Sequence, residues 1–355
     1  MFAPSPLPRN LEAAFRDLES EKAATRVSAI RDVVRHGQRG DVVRGRAIGA
    51  VEKLLRDDST PVVRAEAATG LADLGAREAL PSLLVAVEDD DAHVRQMALS
   101  ALGEIGDIRA ARRIERALSD RRPEVRYQAV IAYGRIAKDD PPSVSAALVT
   151  ATGDEDEAIR YIAMRVAEEQ LGACGNQTSD ERLARRAREL LGGDDEAVAV
   201  VAALYLARLG DDAGIARVLE VVGETRQPPE LEDEQACVEL CGELRLRAAV
   251  PALERRAWGR RRVLRTMFAW GAGDASSCSW HARIALARMG HERARAEILA
   301  DLASWRRETR EAAVVAAGRA RLSEARSVLQ NLQNGRGGSV DAALVREALV
   351  RLAVD

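Results

Sequence analysis

Two pairs of residues could hold a metal ion. Cys237-x3-Cys241 and Cys278-x2-His281 supply thiolate and imidazole donors of the kind zinc accepts, on segments that two neighbouring helices could bring together. The same segment supports a plainer account. Cys237, Leu240, Cys241 and Leu244 follow the i, i+3, i+4, i+7 stripe of a buried helix face, where a thiol packs as a small apolar group. The stripe is the expectation, with no metal and no cofactor. A second group is basic and aromatic: Arg255, Arg256, Trp258, Arg260, Arg261, Arg262 and Arg265, followed by Phe268 and Trp270. Arginine beside aromatic rings can pair with phosphates and stack on bases, and the same residue types are favoured at protein interfaces. A Gly-rich phosphate loop, a nucleophile elbow and a metalloprotease helix are all absent from the sequence, so catalysis by this chain is not expected.

The charge is segregated. The net charge of −3 over 355 residues is the sum of +2 for residues 1–138, −15 for 139–243, +9 for 244–310 and +1 for the remainder. A chain acidic overall argues against nucleic acid as the main partner, and an acidic middle segment suits a basic one. Four unevenly spaced cysteines do not make a disulfide framework. Residues 1–9, with three prolines, read as a disordered arm without the charged and apolar regions of a signal peptide. No apolar run approaches a membrane span of roughly 18 residues. A cytoplasmic protein is expected.

These residues must be positioned by helices, because the chain repeats itself. Asp57-Asp58-Ser-Thr-Pro-Val-Val-Arg64, Asp90-Asp91-Ala-His-Val-Arg95 and Asp120-Arg-Arg-Pro-Glu-Val-Arg126 align, and the arginines are 31 residues apart twice in succession. Each opens an apolar run: Ala67, Ala68, Leu71; Ala98, Leu99, Leu102; Ala129, Val130, Tyr133. A period of this size marks stacked helical hairpins. Gly75, Gly106 and Gly210 fall where left-handed helix caps are wanted. Thr25 to Val34 looks like a degenerate first copy, and Ala173–Glu181, Gly223–Asp233 and Asn334–Ser339 interrupt the pattern.

The pattern Asp-Asp-x-x-x-Val-Arg, followed by Ala-Ala/Leu-x-x-Leu-Gly, resembles the bacterial HEAT repeat, in particular its phycobilin-lyase-type variant. The best copies are residues 57–75, 89–107 and 120–136, with weaker ones at 154–172 and 194–210, where Val200 replaces the arginine. Beyond 211 the spacing drifts, with Arg283, Arg310 and Arg346 near the arginine position. The resemblance implies an all-α, right-handed α-solenoid of about nine or ten repeats over residues 10–355, regular over 41–211 and divergent over 212–355. It also implies that Arg64, Arg95, Arg126 and Arg160 pair with aspartates in a structural ladder. It leaves open a bilin lyase-like enzyme subunit, and the Arg/Trp block leaves open a nucleic-acid-binding member. Deoxyhypusine hydroxylase, another HEAT-repeat family, uses several His-Glu pairs at a di-iron site. This chain has only His291-Glu292, so that site cannot be assembled here.

In such arrays the second helix of each hairpin is expected to line the concave side. Counted from the ladder arginine, the exposed positions of that face are the first, second and fifth after it. They include Met97, Tyr127, Ile131, Tyr161, Ile162 and, counting from Val200, Val201, Ala202 and Tyr205. The expectation is a groove for a protein partner, with a basic or amphipathic helix suited to the acidic segment around it. The function expected is that of a non-enzymatic scaffold or adaptor.

Overall fold

The computed structural model describes residues 9–136, 141–174, 180–259, 278–335 and 339–353. Every regular element among them is helical. The chain divides into two compact units, Met1–Ala187 and Arg188–Asp355.

Unit 1 is a stack of helical hairpins. Its inner row consists of α2 (Ala23–Gly37), α4 (Pro61–Asp73), α6 (Ala92–Ile105), α8 (Pro123–Ile136) and α10 (Glu157–Cys174), each against the next. Its other helices are α1 (Leu11–Asp17), α3 (Asp41–Asp57), α5 (Leu80–Ala86), α7 (Ala111–Ala117) and α9 (Pro141–Ala151), and α11 (Glu181–Leu191) carries the boundary between units. Proline opens α4 and α8, where its missing N–H costs no hydrogen bond. Asp91 caps α6 by accepting from the His93 and Val94 amides. The repeated apolar triplets, Ala67, Ala68, Leu71 and Ala98, Leu99, Leu102, are completely buried. Small residues let successive inner helices touch: a Cβ on Gly103 would lie 3.0 Å from the Ala132 Cα.

The turns are joined by an arginine–aspartate chain. Arg64 grips Asp89 through Nε and Nη2 at 2.8 and 2.7 Å, and its Nη1 donates to the Asp58 carbonyl at 2.9 Å. Arg95 grips Asp120 at 2.9 and 3.0 Å and donates to the Asp89 carbonyl at 2.8 Å. Arg126 grips Asp154 at 2.8 Å twice and donates to the Asp120 carbonyl at 2.9 Å. Arg160 donates to the Asp154 carbonyl at 3.0 Å. The chain reaches one unit further toward the N-terminus than the regular repeats, since Arg26 grips Asp58 at 2.7 and 2.8 Å. Each aspartate also accepts a backbone amide two residues on. Burial alone would push these carboxyls up. The arginine hydrogen bonds, the amide and the nearby positive charge outweigh it and hold Asp58, Asp89, Asp120 and Asp154 below the usual carboxylate range.

Of the expected N-terminal arm, residues 1–8 lie outside the described residues. Arg9 is anchored, bridging Asp17 at 2.8 Å and Asp32 at 2.9 Å.

Unit 2 repeats the two-layer arrangement. The inner row is α12 (Glu196–Arg208), α14 (Leu231–Glu243), α16 (Cys278–Arg288), α18 (Arg307–Arg319) and α20 (Ala342–Ala353). The outer row is α13 (Asp212–Val222), α15 (Val250–Trp258), α17 (Glu292–Leu302) and α19 (Arg326–Gln333). Here the backbone sets the register. A left-handed residue follows each ladder station by eleven positions: Gly75 after Arg64 and Gly106 after Arg95 in unit 1; Gly210, Arg245, Gly290 and Arg321 in unit 2. The unit 2 stations are therefore Ala199, Glu234, Ser279 and Arg310. Arg310 alone is an arginine, and it finds two carbonyls, Ser304 at 2.6 Å and Ser339 at 2.9 Å, in place of an aspartate. Val200 and Arg283 are thus not the stations that sequence spacing assigns, and Arg346 is exposed on α20 rather than buried in a ladder. The contact of Gly318 with Ala348 parallels that of Gly103 with Ala132 and puts the α20 station at Ala342.

Candidate functional site

Five of the six residues expected on the inner face of unit 1 and beyond are half-buried on adjoining helices: Met97 on α6, Tyr127 and Ile131 on α8, Tyr161 and Ile162 on α10. Polar side chains share the face. Arg31 on α2 pairs with Glu66 on α4 at 2.7 Å, and Arg165 lies 3.9 Å from Glu169. Glu155, Glu157 and Glu169 leave acidic groups exposed at the two ends of α10.

Tyr205 is a correction. It is 2 % exposed, and Val201 and Ala202 beside it are completely buried. Every residue of α12 from Val198 to Ala207 is buried, as suits a helix apolar on all faces. Because the station is Ala199, counting from Val200 misassigns each following position by one. Tyr205 is a core side chain.

The cysteine and histidine residues pack into the unit 2 core or its edge. Cys237 and Cys241 are buried among Leu240, Leu253 and Ala282. Burial pushes the Cys237 thiol up, and that of Cys241 up to about 12, the opposite of what a thiolate ligand needs. Among the described residues no three His, Cys, Asp or Glu side chains could together hold a metal ion. His281, buried on α16, has Nε2 3.4 Å from Glu239 and stands edge-on to Trp280. His291 accepts from the Ala294 amide at the start of α17 and meets Glu254 at 3.0 Å, which makes it a helix cap.

The basic block divides. Arg260, Arg261, Arg262 and Arg265 lie outside the described residues, and Arg255 is exposed. Arg256 is a second correction: it is 9 % exposed and its guanidinium donates to the Val222 and Val221 carbonyls at 2.7 and 2.8 Å and to Glu234. Those carbonyls end α13, where the helix supplies few donors: the Glu224 amide reaches Val221 at 3.1 Å, and the buried arginine serves both carbonyls. Trp258 is committed as well. Its indole donates to Glu297 at 3.0 Å, and the Arg293 guanidinium covers its ring at 4.1 Å.

A cleft in unit 2 gathers charged groups that sequence spacing did not single out. It has a volume of about 210 Å³ and is lined by Glu239, Glu243, Ile284, Ala285, Arg288, Arg319 and Arg351. Arg208 and Arg288 converge on Glu243 at 2.7 and 3.1 Å. Arg319 meets Glu239 at 2.7 Å, and Arg351 meets Glu347 on its own helix at 2.7 Å.

Residues 48–134 match a family of known repeats. That family is described as HEAT repeats. No curated protein matches the chain. Among solved structures it is similar to the complex of CpcE and CpcF of phycocyanin lyase from Nostoc sp. PCC7120, at 20% identity and a TM-score of 0.43, covering 71% of this chain and 96% of that one. It is similar to a designed armadillo repeat protein in complex with the peptide (KR)4, at 20% identity and a TM-score of 0.42, covering 57% of this chain and all of that one (100%). It is also similar to human deoxyhypusine hydroxylase in complex with glycerol, at 20% identity and a TM-score of 0.33, covering 79% and 96%.

The matched stretch contains three of the ladder arginines, Arg64, Arg95 and Arg126, each paired with an aspartate. The cleft lies beyond that stretch. Its signal was in the sequence: Arg208, Glu243, Arg288, Arg319 and Arg351 each stand nine residues after a station. The spacing becomes visible once the left-handed caps supply the register.

Proposed function

We propose that the protein is a non-catalytic docking scaffold, and that the inner helix row of unit 1 binds a basic, amphipathic helix of a partner protein. The observation that carries this reading is the run of Met97, Tyr127, Ile131, Tyr161 and Ile162. These half-buried apolar side chains occur on three adjoining helices in a protein whose buried core lies elsewhere in the hairpins. Partly exposed aromatic and methionine side chains gathered on one surface are enriched where proteins bind one another. The exposed acidic groups at both ends of α10 favour a partner of positive charge. The chemically versatile groups of the chain hold structural positions: the ladder arginines are paired, the two buried thiols are held protonated, and His291 caps a helix.

The test is a comparison of wild type with the Tyr127→Ala, Tyr161→Ala double variant. Each is used as bait in the native host, and retained proteins are identified by mass spectrometry. Loss of a partner by the double variant, with its melting temperature kept within a few degrees, supports the reading. An unchanged set of retained proteins overturns it.

A further inference from the structure

Arginines in the two units differ in how much of the guanidinium is engaged. Each of Arg64, Arg95 and Arg126 uses Nε and both terminal nitrogens. Among the described residues, Arg288, Arg319 and Arg351 each donate through a single nitrogen to a single glutamate, and Arg319 also lies over the Trp280 ring at 5.6 Å. Their side chains are 24%, 34% and 44% exposed, and all three line the same cleft. The glutamates are the more fully used partners. Glu243 serves Arg208 and Arg288, and Glu239 serves Arg319 and His281. The cleft therefore has guanidinium capacity left over, in the planar fork that matches a carboxylate.

A cation near a helix C-terminus is favourable in any protein because of the helix dipole. That does not explain the row, because unit 1 mixes the signs at the equivalent position, with Arg35 and Arg135 on α2 and α8 but Asp73, Glu104 and Glu169 on α4, α6 and α10. Unit 2 fills it with Arg208, Arg288, Arg319 and Arg351, interrupted only by Glu243. Spacing matters next. A Cβ on Gly318 would lie 2.8 Å from the Ala348 Cα, so α18 and α20 run at the short end of the usual separation of about 8–10 Å. Side chains on one side of an extended strand recur about every 7 Å. Flexible arginine side chains close the remaining difference.

We propose that the cleft bounded by Arg288, Arg319 and Arg351 binds an extended acidic peptide segment, taking carboxylates from alternate residues on neighbouring helices. The site lies in unit 2 and does not depend on the helix-docking surface of unit 1, so either can fail alone. The probe is a fluorescein-labelled peptide of alternating Glu and Ser, followed by polarisation as full-length protein is added at low salt. Saturable, salt-sensitive binding is expected, about tenfold weaker in Arg319→Gln and in Arg351→Gln, since each removes a charge-assisted contact. Arg346→Gln, exposed on the same helix but outside the cleft, is expected to bind as wild type does. Thermal melts followed by circular dichroism accompany each variant. If Arg319→Gln unfolds, Arg351→Gln decides, because among the described residues Arg351 bonds only to Glu347 within its own exposed helix turn, and its loss leaves no buried group unpaired. Absence of saturable binding, or equal affinity in wild type and both cleft variants, overturns the proposal. So does a single-stranded oligonucleotide that binds more tightly than the peptide and is weakened by the same substitutions.

Discussion

Units 1 and 2 use the same helical hairpin and tie it together differently. In unit 1 each turn is locked to the next by a largely enclosed, bidentate arginine–aspartate pair whose remaining donor reaches a backbone carbonyl. In unit 2 the stations are Ala199, Glu234, Ser279 and Arg310, and cohesion rests on apolar packing and close helix contacts such as Gly242 against Ala285. Its arginines have moved to the helix ends, where they stay partly exposed. A residue type that is structural when saturated becomes available for binding when it is not. The contrast is one of environment, since the side chains are the same.

The largest effect expected from this contrast is at the ladder. Asp120→Ala leaves the buried Arg95 without its carboxylate and should destabilise unit 1 by about 3–5 kcal/mol, the usual consequence of breaking a buried pair from one side. Glu239→Ala in unit 2 removes a partly exposed partner and should cost below about 1 kcal/mol. Denaturant unfolding monitored by hydrogen exchange in each unit would separate the two, and equal losses would erase the distinction.

Acid should separate the units next. The ladder carboxyls have folded pKa values below their unfolded one, about 3.9 for aspartate. Their contribution is therefore complete above that value and is lost as pH falls through the lower folded values. Unit 2 has fewer such groups among the described residues, Asp211 beside Arg188 and Glu311 beside Arg307, and its Asp301 behaves in the opposite sense, because burial raises its carboxyl. Its contribution is complete below the unfolded pKa and declines as pH rises through the folded one. On acidification amide protection should fall first in the ladder turns of unit 1. Simultaneous loss in both units would count against a separate role for the ladder.

The smallest effect concerns the helix caps. Arg245 occupies a left-handed position, φ 53°, that unit 1 assigns to Gly75 and Gly106. Arg245→Gly should stabilise unit 2 by up to about 1 kcal/mol by removing the Cβ clash, as read from the melting temperature.

That same cap explains how far the sequence could be followed. Where an arginine opens the helix and a glycine closes it, as from Arg64 to Gly75, two chemical markers agree and the hairpin, its core triplet and its ladder partner can all be read. In α14 and α18 arginine replaces the glycine, and in α12 and α16 alanine and serine replace the arginine. With one marker or none, counting slips. For that reason spacing alone puts the buried Tyr205 on a surface and does not reveal the row of charges nine residues after each station. Arg256 differs on other grounds, because nothing local in Arg255-Arg256 reveals that one of them ends up among the last carbonyls of α13.

The ladder also bears on how such a chain can lengthen. Each turn presents an aspartate to the arginine before it and an arginine to the aspartate after it, so its two ends are complementary to copies of itself. A duplicated hairpin inserted anywhere between Arg26 and Asp154 would meet a matching charge on both sides, whereas one cut away would strand a buried guanidinium. Growth in whole hairpins is thereby tolerated, and loss of a fraction of one is penalised.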